Sequence, residues 1–112
     1  MNEPATAPAR ATKGDVVEAL LDVIDPELGV DVINLGLIYD IEITKRNKAV
    51  VLMTLTSMGC PFAPQLEQGV KEAIGGLPGI KKVLVEWTFD PPWTSSQITE
   101  EGRDQLMALG YI

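Results

Sequence analysis

The chain has 112 residues, of which 46% are hydrophobic and 22% charged, a composition typical of one soluble globular domain. Its net charge of -7 repels nucleic-acid phosphates and anionic membrane surfaces. A single cysteine and the absence of histidine exclude an intramolecular disulfide, the common zinc and haem sites, and Ser-His or Cys-His catalysis. Without a signal-peptide pattern or an apolar run of about 20 residues, we expect a cytoplasmic protein that binds neither nucleic acid nor membrane.

The N-terminal segment predicts a tail followed by one helix. Residues 1–11 are rich in Pro, Ala and Thr without apolar periodicity, which indicates a disordered tail before a single domain over residues 12–112. Thr12 and Asp15 have the spacing of a capping box, with Asp in place of the usual Glu. Apolar residues then recur at helical spacing to about Val23, where the helix should end before the Asp-Pro dipeptide.

The next segment predicts a loop and two strands. DPELGVDVINLG, residues 25–36, is a loop by its Pro and Gly content, but it carries enough apolar residues to pack against the domain. Residues 37–43 alternate in the period of a half-buried strand. KRNK, residues 45–48, makes the turn. Residues 49–56 are apolar at nearly every position and predict a strand buried on both faces, at the centre of the sheet.

The remaining elements are a second helix, a third strand and a short helix. Pro61 suits the first turn of the second helix, whose apolar stripe continues to Leu77. Residues 80–89 alternate and predict a strand with one better buried face. The paired prolines of residues 90–96 exclude regular structure there, and Thr99 can then cap the short third helix.

This order of elements predicts the fold class. Helix, strand, strand, helix, strand and short helix describe a two-layer α/β (α+β) domain, with a small mixed three-stranded sheet and helices packed on one face. A hairpin joins the first two strands. The helical crossover should make the second and third strands parallel if they are neighbours in the sheet.

The only cysteine lies in TSMGCPFAP, residues 56–64, between a buried strand and a helix. Unpaired N–H groups at the start of a helix favour a thiolate by about 0.3 to 1 kcal/mol when the site is exposed. This effect can lower a thiol pKa but does not make a catalyst by itself. The alternative is that Cys60 is a small apolar residue that fills space beside Phe62 and Leu66.

Two further pairs of polar residues are candidates for a site, and both have a structural alternative. Thr56 and Ser57 could hydrogen-bond a ligand or cap the second helix. Asp25 and Glu27 belong to a DPE sequence, which is ordinarily a turn with solvated side chains. The residues alone leave both alternatives open.

Three segments together resemble a known family: DPELGVDVINLGLIYDIEI (residues 25–43), MTLTSMGCPFAPQLEQGVKEAI (53–74) and LPGIKKVLVEWTFDPPWT (77–94). They are similar to the small domain shared by bacterial SufT-like proteins, the phenylacetate-pathway protein PaaD, the N-terminal region of Mrp-type ATPases and eukaryotic cytosolic iron-sulfur targeting factors. The resemblance covers residues 14–110. It implies a role in iron-sulfur cluster assembly or in delivery of clusters to recipient proteins.

The resemblance also implies one small pocket with an acidic rim. Its lining would come from two loops: Asp25, Glu27, Leu28, Thr56, Ser57 and Cys60. A cysteine thiolate is the soft ligand that iron prefers, and a carboxylate from Asp25 or Glu27 could complete the site. One thiol cannot fill four cluster positions, so we expect no stably bound cofactor and only transient iron or iron-sulfur cluster binding at Cys60. Stable binding would need a homodimer, a partner or an external thiol.

Differences from other family members reduce the number of functions that the resemblance implies. The P-loop pattern GxxxxGK[ST] and the additional cysteines of PaaD-like members are absent from the sequence. We therefore expect a SufT-like accessory factor without enzymatic activity, whose partners are the iron-sulfur assembly machinery and apo-protein clients.

Two other functions stay open. In the first, the protein is a thiol enzyme with Cys60 as nucleophile and Glu27 or Asp25 as proton acceptor, although a carboxylate is a poor base for a thiol. In the second, Cys60 is structural, and the protein is an interaction module whose pocket binds a peptide or whose exposed sheet edge pairs with another chain, including a second copy.

Overall fold

Residues 11–111 fold into three α-helices, a 3-10 turn and one small sheet, and these are the residues that the structure, a computed structural model, describes. In chain order the elements are α1 (Lys13–Leu20), β1 (Ile38–Ile43), β2 (Lys48–Met53), α2 (Ala63–Gly75), β3 (Lys82–Trp87), the 3-10 turn (Ser95–Gln97) and α3 (Glu100–Ala108). This order confirms the predicted α+β class. None of the described helices is long and apolar enough to cross a membrane.

The N-terminal boundary of the domain differs slightly from the prediction. Most of the predicted tail, residues 1–10, lies outside the described residues. Ala11, which the sequence assigns to the tail, is buried, and its N–H donates to the carbonyl of Pro78 at 3.3 Å. The capping box of α1 is confirmed, because the Thr12 hydroxyl accepts from the N–H of Asp15 and the Asp15 carboxylate accepts from the N–H of Thr12.

The sheet has the strand order β1-β2-β3, with β1 antiparallel to β2 and β2 parallel to β3. The predicted hairpin and parallel crossover pair are therefore confirmed. On the face covered by the helices, Ala49, Val51 and Met53 of β2 are fully buried. On the opposite face, Val50 and Leu52 are only half-buried. The prediction that this strand is buried on both faces is wrong, because the helices cover one face only.

The first helix is shorter than the sequence predicts. It ends at Leu20 instead of Val23, since the chain there leaves the helix to form a short antiparallel bridge. The N–H of Asp25 donates to the carbonyl of Val30 at 3.0 Å, and the N–H of Val32 donates to the carbonyl of Val23 at 3.0 Å. This bridge fixes the direction in which the following loop begins.

Other element boundaries also differ from the prediction. Pro64, and not Pro61, occupies the first turn of α2. The segment 90–96, predicted to be irregular, contains the beginning of the 3-10 turn at Ser95–Gln97. A single turn of this kind needs only local hydrogen bonds, so the preceding prolines do not prevent it.

The loop between α1 and β1 is part of the core. We call residues 25–36 the DPE loop. Its side chains Val30, Val32 and Leu35 are fully buried, which confirms that the loop packs against the domain. The indole N–H of Trp93 donates to the carbonyl of Leu35 at 2.7 Å, so the segment after β3 is attached to this loop.

Candidate functional site

The cysteine lies in a partly exposed loop that follows the central strand. We call residues 54–62 the thiol loop; it leaves β2 after Met53 and enters α2 at Ala63. The side chain of Met58 is 79% exposed. Cys60 is half-buried at the edge of the core, and its N–H donates to the carbonyl of Ser57 at 3.3 Å. The thiol is therefore held by a local turn, and it is neither sealed in the core nor fully solvated.

The hydroxyl side chains of Thr56 and Ser57 in the thiol loop are not used by the fold. Thr56 is half-buried and Ser57 is exposed. Helix α2 has Phe62 at its N-cap position, and no side chain caps it. The alternative that Thr56 or Ser57 caps this helix is therefore wrong, because the helix begins several residues after both hydroxyls. Within residues 11–111 neither hydroxyl forms a hydrogen bond, so both can bind a ligand.

The carboxylate of Asp25 holds its own loop together. Asp25 is only 2% exposed, and its Oδ1 accepts from the N–H groups of Glu27 at 2.8 Å and Leu28 at 3.1 Å. The alternative of a solvated aspartate is therefore wrong. Glu27 has an exposed side chain, whereas Leu28 is half-buried against the core. Of the two predicted carboxylates, Glu27 is thus the one that solvent and a ligand can reach.

A cavity of about 460 Å³ lies between the DPE loop and α2. Pro26 lines one side, and Gln65, Leu66 and Glu72 line the other. The DPE loop therefore lies beside the helix that follows the thiol loop. None of the six predicted site residues lines this cavity, and no hydrogen bond or ion pair within residues 11–111 joins the two loops. The single pocket implied by the resemblance stays a prediction.

The described residues contain no group of three or more Cys, Asp or Glu side chains that could hold a metal ion. The described residues therefore do not supply a complete ligand set for a soft metal bound at Cys60, and another molecule would have to supply the missing ligands. This arrangement differs from a closed structural metal site, in which one chain supplies every ligand.

Sequence reasoning missed a buried polar cluster that holds the DPE loop. Asp31 and Asn34 are both buried. The Asp31 carboxylate accepts from the N–H of Asn34 at 2.9 Å and from its side-chain amide at 2.8 Å. The carbonyl of Asn34 accepts from the N–H of Thr99 at 2.9 Å, at the start of α3. The D-x-x-N spacing was the only local signal for this cluster.

A second missed contact attaches the end of the described chain to the same loop. The hydroxyl of Tyr111 donates to the carbonyl of Glu27 at 3.1 Å. No sequence signal could have found it, since the two residues lie 84 positions apart. Both missed features support the position of the loop that carries Glu27.

Helix α2 is fixed to β3 by a carboxylate. Oε1 of Glu67 accepts from the indole N–H of Trp87 at 2.9 Å, and Oε2 lies 3.1 Å from the ammonium group of Lys71. The Trp87 hydrogen bond, followed by the hydrogen bond and charge of Lys71, lowers the pKa of Glu67 below its ordinary value of 4.5. This contact positions the helix that follows the thiol loop.

The class of protein follows from a match to a known family. Residues 13–87 match the family described as iron-sulfur cluster assembly protein. The chain belongs to this family, in the group of SufT-like maturation factors, as its resemblance predicts.

Two curated relatives match nearly their whole length. The Fe-S protein maturation auxiliary factor YitW of Bacillus subtilis is 43% identical over 100 residues, which are 89% of this chain and 95% of the relative. The Fe-S protein maturation auxiliary factor SufT of Staphylococcus aureus is 42% identical over 88 residues, which are 79% of this chain and 97% of the relative.

Solved structures have the same fold. A domain of unknown function from Bacillus anthracis superposes with a TM-score of 0.81 at 36% identity, covering 97% of this chain and all of that domain. A conserved hypothetical protein from Thermotoga maritima superposes with a TM-score of 0.76 at 48% identity, covering 86% of this chain and 94% of that protein.

Proposed function

We propose that the protein is an accessory factor that assists iron-sulfur cluster assembly or the delivery of clusters to apo-proteins, with Cys60 as its functional thiol. The observation that carries the proposal is the 43% identity to a named maturation auxiliary factor over 89% of this chain. Both curated relatives bear the name of an auxiliary factor, which favours a non-enzymatic role over the thiol-enzyme alternative. A cytoplasmic location remains a prediction.

The geometry of the thiol loop supports a labile contact with iron. Cys60 is half-buried at the edge of the core, so part of the residue is open to a ligand. Thiolate sulfur suits iron and iron-sulfur clusters, but an ordinary cluster takes four protein ligands. One thiol therefore supplies one position, and the client or carrier supplies the others. This single bond to Cys60 breaks when the cluster is transferred to the client.

The neighbouring polar groups have separate parts in this proposal. Thr56 and Ser57 carry hydroxyls a few residues before the thiol that have no hydrogen bond within residues 11–111 and can donate to a client main chain. Glu27 offers the accessible carboxylate, and Leu28 anchors that part of the loop in the core. Asp25 acts by closing the loop and not by binding iron directly.

Anaerobic reconstitution tests the role of the thiol. Wild type, Cys60→Ser and the matched control Ser57→Ala are incubated with ferrous iron and sulfide, desalted, and assayed for bound iron and visible absorption. We expect Cys60→Ser to retain at least about fivefold less iron, since serine oxygen is a much poorer ligand for iron in clusters. Ser57→Ala should retain wild-type iron. Equal iron in wild type and Cys60→Ser would remove Cys60 from the ligand set.

Cell experiments separate this function from that of an interaction module. Iron-sulfur enzyme activities are measured in cells whose only copy of the protein is Cys60→Ser, at verified abundance. A loss of these activities with unchanged partners in a quantitative pull-down supports a thiol that acts after docking. Full activity would instead support a module in which Cys60 is structural. The pull-down also identifies the proposed assembly partners and apo-protein clients.

A further inference from the structure

Strand β3 has an outer edge that no segment within residues 11–111 pairs with. Its register and hydrogen bonds fix which groups this edge presents. Trp87 is the partner of Met53, and the N–H of Thr88 donates to the carbonyl of Met53 at 2.9 Å. Main-chain groups point alternately to the two sides of a strand, so Thr88, Glu86 and Leu84 bond towards β2. The N–H and C=O groups of Val83 and Val85 therefore point outwards.

The opposite edge of the sheet is protected. On β1 the N–H of Ile41 is capped by the carboxylate of Asp40, at 2.9 Å. The register of β1 against β2 is also irregular between Ile38 and Asp40. A capped N–H and a bulge are devices that prevent another strand from pairing. β3 lacks both within its six residues, which makes it the available edge.

The side chains along β3 are self-complementary. Lys82 and Glu86 are exposed on the sheet face away from the helices, and the half-buried Leu84 lies midway between them. An antiparallel copy of the same strand, centred on Leu84, places each Lys82 opposite Glu86 of the second copy. Opposite charges at directly facing positions stabilise a strand pair, whereas like charges destabilise it.

We propose that two copies of this chain pair through β3, antiparallel and centred on Leu84, to form one six-stranded sheet. The outward main-chain groups of Val83 and Val85 then face each other in hydrogen-bonded pairs, and Leu84 meets its own counterpart in a non-hydrogen-bonded pair. Moving the centre to Val83 or Val85 separates the charges, so only the Leu84 register satisfies both charge pairs. The interface is isologous, as in most symmetric dimers.

This dimer has a consequence for the thiols. Each thiol loop follows the end of β2, which runs parallel to β3. Antiparallel pairing therefore puts the two loops at opposite ends of the joined sheet, about 20 Å or more apart for strands of this length. The two Cys60 side chains do not meet, and the dimer supplies no second thiol to a cluster.

Site-directed crosslinking tests the register. Leu84→Cys is introduced into the full chain in a Cys60→Ser background and exposed to oxidised glutathione. A non-hydrogen-bonded antiparallel pair has Cα atoms about 4.5 Å apart, within the range that a disulfide spans. We expect a disulfide-linked dimer. The matched control, Val50→Cys in the same background, lies on the same sheet face of the central strand and should remain monomeric.

Charge reversal tests the pairing without a disulfide. In sedimentation of the Cys60-containing chain at about 0.15 M salt, where the Debye length is about 8 Å, we expect a weak dimer. Lys82→Glu or Glu86→Lys should each weaken it about tenfold, since each creates two like-charge pairs. The double variant Lys82→Glu/Glu86→Lys should restore it. Two results with these variants would overturn the proposal. One is equal crosslinking of Leu84→Cys and Val50→Cys; the other is a double variant whose dimer is as weak as that of the single variants. A different occupant of the edge, such as residues 1–10 or an extended segment of another protein, would leave the wild type monomeric and also overturn it.

Discussion

The DPE loop and the thiol loop both connect core elements, but they use their polar groups in opposite ways. In the DPE loop, Asp25 and Asp31 are buried and their carboxylates bond the loop's own N–H groups. In the thiol loop, the hydroxyls of Thr56 and Ser57 have no partner within residues 11–111, and Met58 is the most exposed of the large apolar side chains described. The DPE loop is a framework, because its carboxylates stabilise the fold. The thiol loop is a reactive loop, because its hydroxyls at Thr56 and Ser57 stay accessible to a ligand. We therefore expect the same kind of substitution to lower the free energy of unfolding more in the DPE loop than in the thiol loop.

Glycine substitutions should reveal the largest contrast. Gly36 in the DPE loop has φ +76°, and an added Cβ would lie 2.8 Å from Cβ and 2.9 Å from the carbonyl carbon of Gln97. Gly59 in the thiol loop would meet nothing within 4 Å. We expect Gly36→Ala to lower the free energy of unfolding by about 3 kcal/mol or more, from backbone strain and the clash. Gly59→Ala should change it by less than about 0.5 kcal/mol.

Urea unfolding followed by tryptophan fluorescence measures both variants, since Trp87 and Trp93 pack against the core. If Gly36→Ala were as stable as Gly59→Ala, the DPE loop would be free to move away from Gln97. The division between framework and reactive loop would then be wrong.

Polar substitutions in the two loops should also differ in their effect on the free energy of unfolding, but by less than the glycine substitutions. Asp25→Ala leaves the N–H groups of Glu27 and Leu28 without their acceptor in a part-buried position. Losing bonds to a charged acceptor should lower the free energy of unfolding by about 2 to 3 kcal/mol. Ser57→Ala removes an exposed hydroxyl and should change it by about 0.5 kcal/mol or less. The same urea titration measures both.

Asp25→Asn separates the structural role of this residue from a direct role in iron binding. The amide oxygen can still accept from the loop but carries no charge, so most of the stability should return. Iron retention in the reconstitution assay should then equal that of the wild type. A stable Asp25→Asn variant that loses iron would make Asp25 a ligand and not a framework residue.

The sequence predicted the features that depend on neighbouring residues. The capping box of Thr12 and Asp15 spans three positions, and the parallel pairing of β2 and β3 follows from the helix between them. The sequence could not predict that Asp25 is buried, because its burial depends on the packing of the whole loop. It also gave no indication of the Tyr111 contact, which joins residues 84 positions apart.

The candidate site was predictable in position but not in detail. The sequence located Cys60 between a strand and a helix, and the structure agrees. The capping role of Thr56 and Ser57 failed because Pro64, rather than Pro61, lies in the first turn of α2, which lengthens the thiol loop. The apolar run of β2 could not distinguish one covered face from two, since a half-covered strand and a fully buried strand can have the same composition.

The smallest predicted effect on stability concerns Glu67, which lies on α2, outside both loops. The Trp87 hydrogen bond and Lys71 lower the pKa of Glu67 in the folded protein. A lowered folded pKa stabilises the protein fully above the ordinary value of 4.5, which applies to the unfolded chain. That stabilisation disappears as the pH falls through the folded pKa. Because the Glu67 side chain is 35% exposed, solvent screening reduces it to about 0.5 kcal/mol or less.

Glu67→Gln tests this contribution, because glutamine can still accept from Trp87 but does not titrate. Unfolding free energies of wild type and variant, measured from about pH 7 to about pH 3, should differ most at neutral pH and converge in acid. Glu72→Gln, also on α2 and exposed, serves as the matched control for loss of one charge on that helix. A constant difference across the pH range would mean that Glu67 acts through packing alone. A difference larger than that caused by Asp25→Ala would mean that the contact between α2 and β3, and not the DPE loop, is the main support of the thiol loop.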